Sequence, residues 1–512
     1  MGRILELPRH GYRQHPADAL GVIVDGDDYY REFYRAALTA EHTMVMTGWQ
    51  FDSGVPLLRG EDAAAAPAPI TLLKFLNHLC EVKPDLKIWI LAWDFHMVFA
   101  AEREWMQKLV FHWTTHERLK FRFDSTHVAR GSHHQKFVVI DGGVSFLGGL
   151  DLAEDRWDDR KHLMENPLRV SRGKPHKPFH DIQVYLRGRA LGRSLNELFA
   201  KRWELAGGDP IDAVLKATGD APLSYQAHNL VPLPATAVTL SRTDPHAVPE
   251  GKKPCAEILA LHESAIASAE RLIYAETQYL SSHQITGAFE RRMRDPHLPK
   301  LELVFILNMR GETLKEQAAV GLSQAQNLGR LREVAERTGH HLGLYYTLPE
   351  CGASKQPERA TYIHSKLMIV DDRFLTVGSA NLTNRSMSVD SELNITVEAN
   401  GDGAGDAALA LAIHKLRMVL IAEHTGGPEL ELTAGLVARL DLFADGVGPG
   451  CRLRHHPSPT EGEKVAIALL DPQKLPFDPD HVEDLDGEQS SDFLSGIARS
   501  AKELFTGKAG AD

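Results

Sequence analysis

Apolar residues along this chain follow two rhythms. Short unbroken runs over 20–24, 44–49, 86–93, 119–123, 182–186, 272–276, 301–307 and 342–347 suit strands buried on both faces. Between them, apolar residues recur at three- and four-residue spacing over about 25–40, 71–82, 98–115, 192–206, 255–269, 313–338 and 405–422, which predicts helices with one buried face. Strands alternating with helices predict an α/β fold built on mixed, mostly parallel sheets. The order of elements over 254–425 repeats that over 18–206, so the chain reads as an internal duplication. A stretch rich in Pro, Gly, Ala and Thr, 207–253, reads as the connection between halves. Residues 426–512 form a C-terminal extension that reads as partly helical, at 429–443 and in the amphipathic stretch 491–505.

Two polar interruptions stand at the same place in the two halves. GSHHQKFVVIDGGVSFLGGLD (131–151) and YIHSKLMIVDDRFLTVGSAN (362–381) each place a His two positions before a Lys and seven before an Asp: His134, Lys136, Asp141 and His364, Lys366, Asp371. Residues two apart on a strand share a face, so each His emerges beside its Lys at the mouth of a short apolar strand. Bringing the copies together gathers two imidazoles and two ammonium groups around one space. Two ammonium groups favour a phosphate-like anion. Two imidazoles can divide the work of nucleophile and general acid. Symmetry leaves open which one attacks. Asp141 and Asp371 read as structural, tying strand ends. The small-residue turn after each strand ends at Asp151 in one copy and, after Ser379, at Asn381 in the other. A carboxylate would repel phosphate, so Asp151 is not expected to touch substrate.

At these residues the chain resembles the phospholipase D superfamily, whose signature is this duplicated motif. GGLDLAEDRWD (148–158), PFHDIQVYLRG (178–188), LFAKRW (198–203), YAETQYL (274–280) and NRSMSVDSELNI (384–395) resemble flanking segments of the eukaryote-like, phosphatidylcholine-type phospholipases D. The resemblance implies two similar α/β/α halves packed about a pseudo-two-fold axis. It also implies metal-independent cleavage of a phosphodiester through a phosphohistidine. In that scheme His134 attacks and His364 is the acid. Lys136 and Lys366 neutralise the non-bridging oxygens, and Asn381 donates a hydrogen bond. Glu392, 28 residues after His364, would reach across to hold His134. Asp181, 47 residues after His134, would orient His364, which leaves 19 extra residues in the first half.

Composition narrows the reading. The 512 residues carry a formal net charge of −12 and are 43% hydrophobic and 25% charged, as in ordinary globular proteins long enough for two or three domains. The acidic balance disfavours a nucleic-acid partner. Cys80, Cys255, Cys351 and Cys451 are widely spaced and read as free thiols, and no HExxH or similar local metal pattern occurs among the 26 His. No metal or cofactor is therefore expected. No secretory signal or membrane span is apparent, so a lipid substrate would be met from the aqueous side. The expectation is a phospholipase D acting at a membrane surface, with water or an alcohol as acceptor and a monomer sufficient. Its place would be cytoplasmic or peripheral on a membrane, with export by a signal-independent route left open. A cardiolipin-synthase-like phosphatidyltransferase and a nuclease of the same superfamily are the alternatives. The charged loop 152–163 reads either as a solvated surface or as a rim of the site.

Overall fold

The computed structural model describes residues 2–94, 115–128, 131–217, 225–246, 254–310, 320–349, 360–401, 403–448, 452–470 and 478. Nearly all of the helix expected over 98–115, the start of the one expected over 313–338 and the stretch 491–505 lie outside them.

Two sheets organise the chain. The first runs in the order Val231–Pro232, Ala19–Val24, Ile182–Arg187, Val144–Gly148, Phe137–Ile140, Thr43–Gly48, Lys87–Trp93 and Leu119–Asp124. The second contains Ala237–Asp244, Glu392–Glu398, Phe374–Gly378, Leu367–Val370, Leu272–Thr277, Glu302–Leu307 and His341–Thr347 in that order. From Ala19–Val24 onward the two lists match strand for strand, with the same parallel or antiparallel sense at each step. The duplication is therefore one of topology as well as of motif.

The sheets are mixed, but the expectation of mostly parallel pairing needs correcting. Among the described residues, parallel neighbours are confined in each half to three adjacent strands. The motif strands are hairpins, and a hairpin forces antiparallel pairing. Both hairpins turn through two residues at positive φ, Asp141 (47°) with Gly142 (61°) and Asp371 (54°) with Asp372 (56°). The turns close by Gly143 N to Ile140 O at 3.1 Å and Arg373 N to Val370 O at 3.0 Å. This is the primed turn that suits a two-residue hairpin, and Asp and Gly tolerate it better than most residues.

The connection is also not merely a connection. Val231–Pro232 pairs with the first sheet, and Ala237–Asp244 is an inner strand of the second. Its alternation of buried Val238 and Leu240 with Thr239 and Ser241 is period-two, but it lies among Pro and Ala that obscure it. Arg13–Pro16 and Leu453–His455, from outside the expected halves, add edge strands to the second sheet. One apolar core is shared by both sheets, from Val139, Leu147 and Val184 to Leu375, Val377 and Ile395. Separate cores cover the outer face of each half. The halves are thus welded face to face, and the two motif mouths meet at the same end. No helix among the described residues is long and apolar enough to cross a membrane.

Candidate active site

Each motif His enters the site just before its strand and is held by the opposite half. His134 N donates to Ser391 O at 2.9 Å, and His364 N donates to His180 O at 2.8 Å. The acceptor in each case is the residue directly before a buried carboxylate at the start of a strand, Glu392 or Asp181. Those carboxylates take the ring nitrogens: His134 Nδ1 lies 2.9 Å from Glu392 Oε2, and His364 Nδ1 lies 2.5 Å from Asp181 Oδ2. The arrangement is two-fold symmetric, and it turns both Nε2 atoms away from the carboxylates. The 19-residue surplus therefore does not displace Asp181, because it falls wholly between Asp151 and Asp181.

Glu392 is further fixed by hydroxyls. Ser379 Oγ donates to Oε2, and Ser386 Oγ donates to Oε1 at 2.7 Å. Burial, with Asp390 nearby, pushes the Glu392 carboxyl up to about 8, and burial raises Asp181 to about 7. Both imidazoles are held well below the usual range, by burial first and by the lysine charges second. Each His–carboxylate pair thus shares one proton, and each Nε2 is free to act as a base or nucleophile.

The lysines are buried beside them. Lys136, 2% exposed, has Nζ 3.1 Å from Asp151 Oδ2, but no acceptor among the described residues is aligned for a hydrogen bond. Lys366, 3% exposed, donates to His364 O and reaches Gln278 Oε1 at 3.5 Å. Burial lowers the Lys366 ammonium to about 7, with Lys136 adding to the effect. An ammonium group removed from water costs several kcal/mol unless an anion meets it. Two of them in one cleft make a site for an anion. Asn381 Nδ2 donates to Gln278 Oε1 at 3.3 Å, while its Oδ1 has no partner among the described residues. The amide is therefore only half engaged.

The remaining expected residues fall as follows. Asp141 accepts from the backbone N–H groups of Glu41, His42 and Thr43, each at 2.8 Å. Asp371 accepts from those of Glu270, Arg271 and Leu272 at 2.8–2.9 Å. These are ties between strand ends, away from the cleft. Asp151 is also bonded to the backbone, taking Trp49 N at 2.9 Å, while its other oxygen faces Lys136.

Several residues were not anticipated. Gln278 joins Lys366, Asn381 and the Tyr362 hydroxyl. Behind His134, His133 bridges Ser391 Oγ (2.9 Å) and Asp124 (3.2 Å), and Arg202 clamps Asp124 at 2.9–3.0 Å. Behind His364, buried His180 meets Asp25, Glu276 and Glu423 at 2.8–3.0 Å. Asp25, His162, His180 and Glu423 each offer a donor atom within 4.8 Å of the others, as do His180, Glu276 and His424. These groups could hold a cation, although the sequence offered no metal pattern. As they stand, the carboxylates raise His162 and His180 well above the usual range, so the cluster balances as imidazolium–carboxylate pairs. Its members are scattered from 25 to 424, and no local spacing could reveal them.

Residues 264–408 match the family model described as cardiolipin synthase, PLD-like domain. Phospholipase D alpha 2 of Arabidopsis thaliana is 24% identical over 535 aligned positions, covering 78% of this chain and 64% of that protein. Phospholipase D A of Dictyostelium discoideum is 26% identical over 486, covering 82% of this chain and 36% of that protein. The chain thus spans less than two thirds of the length of these relatives. Among solved structures, phosphatidylserine synthase of Haemophilus influenzae shares the fold, with a TM-score of 0.51 at 14% identity over 85% of this chain and 94% of that one. With the paired motifs, the duplicated sheets and these relatives in agreement, the chain belongs to the phospholipase D superfamily.

Proposed function

We propose that this protein cleaves the phosphodiester of a phospholipid headgroup through a phosphohistidine, giving phosphatidic acid with water and a new phosphodiester with an alcohol. The observation that carries the reading is the mirrored pair of imidazoles, each with Nδ1 on a buried carboxylate of the opposite half and each beside a buried lysine.

The chemistry follows from those contacts. His134 Nε2 attacks phosphorus, and its Nδ1 keeps its proton, hydrogen-bonded to Glu392, as positive charge develops on the ring. Lys136 and Lys366 take the charge on the non-bridging oxygens, and the second N–H of Asn381 Nδ2 donates a hydrogen bond. Burial first and the lysine charge second hold His364 neutral, and the bound anion offsets the lysine charge, which favours a proton on that ring. The ring gives that proton to the leaving alkoxide and then takes one from the incoming water or alcohol. Hydrolysis and transfer share the intermediate and differ only in the acceptor. Transfer to an alcohol is a second reading favoured by the cardiolipin-synthase description of the matched family model.

The test is incubation with mixed phospholipid vesicles, with and without ethanol, followed by mass spectrometry. Phosphatidic acid together with phosphatidylethanol is expected, and the depleted headgroup names the substrate. Unchanged lipids, with cleavage of nucleic acid or a small diester instead, would overturn the lipid reading.

A further inference from the structure

The 19-residue surplus of the first half has a definite place and an unusual surface. Between Asn381 and Glu392 the second half needs only a short turn and the helix Asn384–Ser388. Between Asp151 and Asp181 the first half builds a lobe, 155–177. Both of its stems are rooted in the site. It leaves four residues after Asp151, which faces Lys136, and it returns at Phe179, whose ring lies 5.3 Å from that of His364.

The base of the lobe is rigid. Trp157 is 2% exposed, with the Arg59 guanidinium 4.6 Å over its ring. Buried Asp158 takes Arg169 Nη1 at 2.9 Å, His162 Nδ1 at 2.9 Å and Phe179 N at 3.0 Å. Val170–Ser171 pairs with Lys174–Pro175 in a small hairpin that turns at Arg172 and Gly173, both at positive φ.

The outer surface has a different character. Leu163 and Leu168 are each 40% exposed, and Lys161, Arg172, Lys174 and Lys177 of the same lobe are exposed as well. Residues 155–177 hold seven Lys and Arg against four Asp and Glu, in a chain whose net charge is −12. Arg160 and Arg172 lean on Glu423 and on Asp52 with Glu154. Among the described residues, Lys161, Lys174 and Lys177 make no ion pair. Exposed cations and exposed leucines on one lobe, tied at its base beside the site, fit a surface that is anionic outside and apolar beneath.

We propose that the 155–177 lobe docks this protein on anionic phospholipid surfaces and so sets the cleft against the lipid, an inference that rests on the phospholipid reading above. The experiment is sedimentation of the full chain with phosphatidylcholine vesicles, with and without admixed phosphatidylglycerol, in about 0.1 M salt, where the Debye length is about 10 Å. Wild type is expected to bind the anionic vesicles. Lys161→Gln/Lys174→Gln/Lys177→Gln is expected to bind them on the order of 100-fold more weakly. Leu163→Ser/Leu168→Ser is expected to bind more weakly at every salt concentration. Turnover of soluble bis(p-nitrophenyl) phosphate should stay unchanged in both variants, which reports that they are folded. Wild-type failure to bind, or unchanged binding by the lysine variant, overturns the proposal. Lobe-dependent binding without lipid cleavage would leave docking standing and remove the lipid-cleavage reading instead.

Discussion

His134 and His364 occupy the same register point of two sheets with the same strand order, yet their surroundings differ in three ways. The carboxylate behind His134 is a glutamate held by two serine hydroxyls, and the one behind His364 is an aspartate 2.5 Å away. Lys136 faces a carboxylate of its own half, whereas Lys366 reaches the amide of Gln278, to which Asn381 also donates. The loop that carries the crossing carboxylate is short in the second half and a basic lobe in the first. Duplication thus supplied the skeleton of the site, and divergence at its edges gave each half its own charge. A symmetric site would have no reason to let one His attack and the other protonate. This one has the means to separate the two roles.

The sharpest way to break the comparison is to remove one imidazole at a time and vary the leaving group. Either substitution should cost on the order of 10⁴-fold with a phospholipid, whose alkoxide must be protonated to depart. Bis(p-nitrophenyl) phosphate releases a phenolate that needs no proton. With it, His364→Ala should give a burst of one equivalent of nitrophenolate and then stall as the phosphohistidine. His134→Ala should give no burst. Stopped-flow absorbance and acid-quench detection of the intermediate check both. A burst from His134→Ala alone would exchange the roles.

Much of this site was legible in the sequence because the motif is local. A His and a Lys two apart before an apolar strand carry their geometry with them, and a second copy makes chance a poor explanation. Glu392 and Asp181 could be placed from the family resemblance, and the structure sets each beside the Nδ1 of its histidine. Asp141 and Asp371 tie strand ends as their positions suggested. What stayed hidden has no local signature. Arg202, Asp124 and His133 meet only after the sheet has formed, and the Asp25–His162–His180–Glu423 cluster spans nearly the whole chain. Strand Ala237–Asp244 was obscured by the Pro-rich composition around it. Likewise, helix-strand alternation suggested parallel neighbours, but each motif turned out to be a hairpin.

The difference between the lysines is sharpened by pH. Burial lowers Lys366 to about 7, so its charge is present below that pH and lost above it. The free enzyme should therefore lose kcat/KM as pH rises through about 7, up to about tenfold for each further unit. A bound phosphodiester anion favours the charged ammonium, so the same limb in kcat should lie at higher pH. Asp181, raised to about 7, and Glu392, raised to about 8, share protons with the histidines and titrate in the same window. Lys366→Arg separates the causes, because a guanidinium stays charged throughout. The alkaline limb of kcat/KM should move up in that variant, whatever its absolute rate. A limb that stays in place belongs to the His–carboxylate pairs instead.

The smallest expected effect comes from making the two halves alike. Asp151→Asn gives the first turn the residue that the second turn already has. The amide oxygen can still accept from Trp49 N, so the turn should hold, and the cost to stability, on the order of 3 kcal/mol, falls on buried Lys136, which loses its counter-charge. What disappears is the charge 3.1 Å from Lys136 Nζ. A unit charge at that distance is worth several kcal/mol at an intermediate dielectric constant. Part of that is recovered as affinity, because a bound phosphate anion meets the ammonium group that the variant leaves buried without a counter-charge. Inorganic phosphate should therefore inhibit the variant more tightly by several-fold, with kcat changed less than KM. Isothermal titration with phosphate, beside steady-state kinetics on bis(p-nitrophenyl) phosphate, measures both. If phosphate binds the variant no better, Asp151 is not what distinguishes the two lysines. The asymmetry would then rest on Gln278 beside Lys366 rather than on the carboxylate beside Lys136.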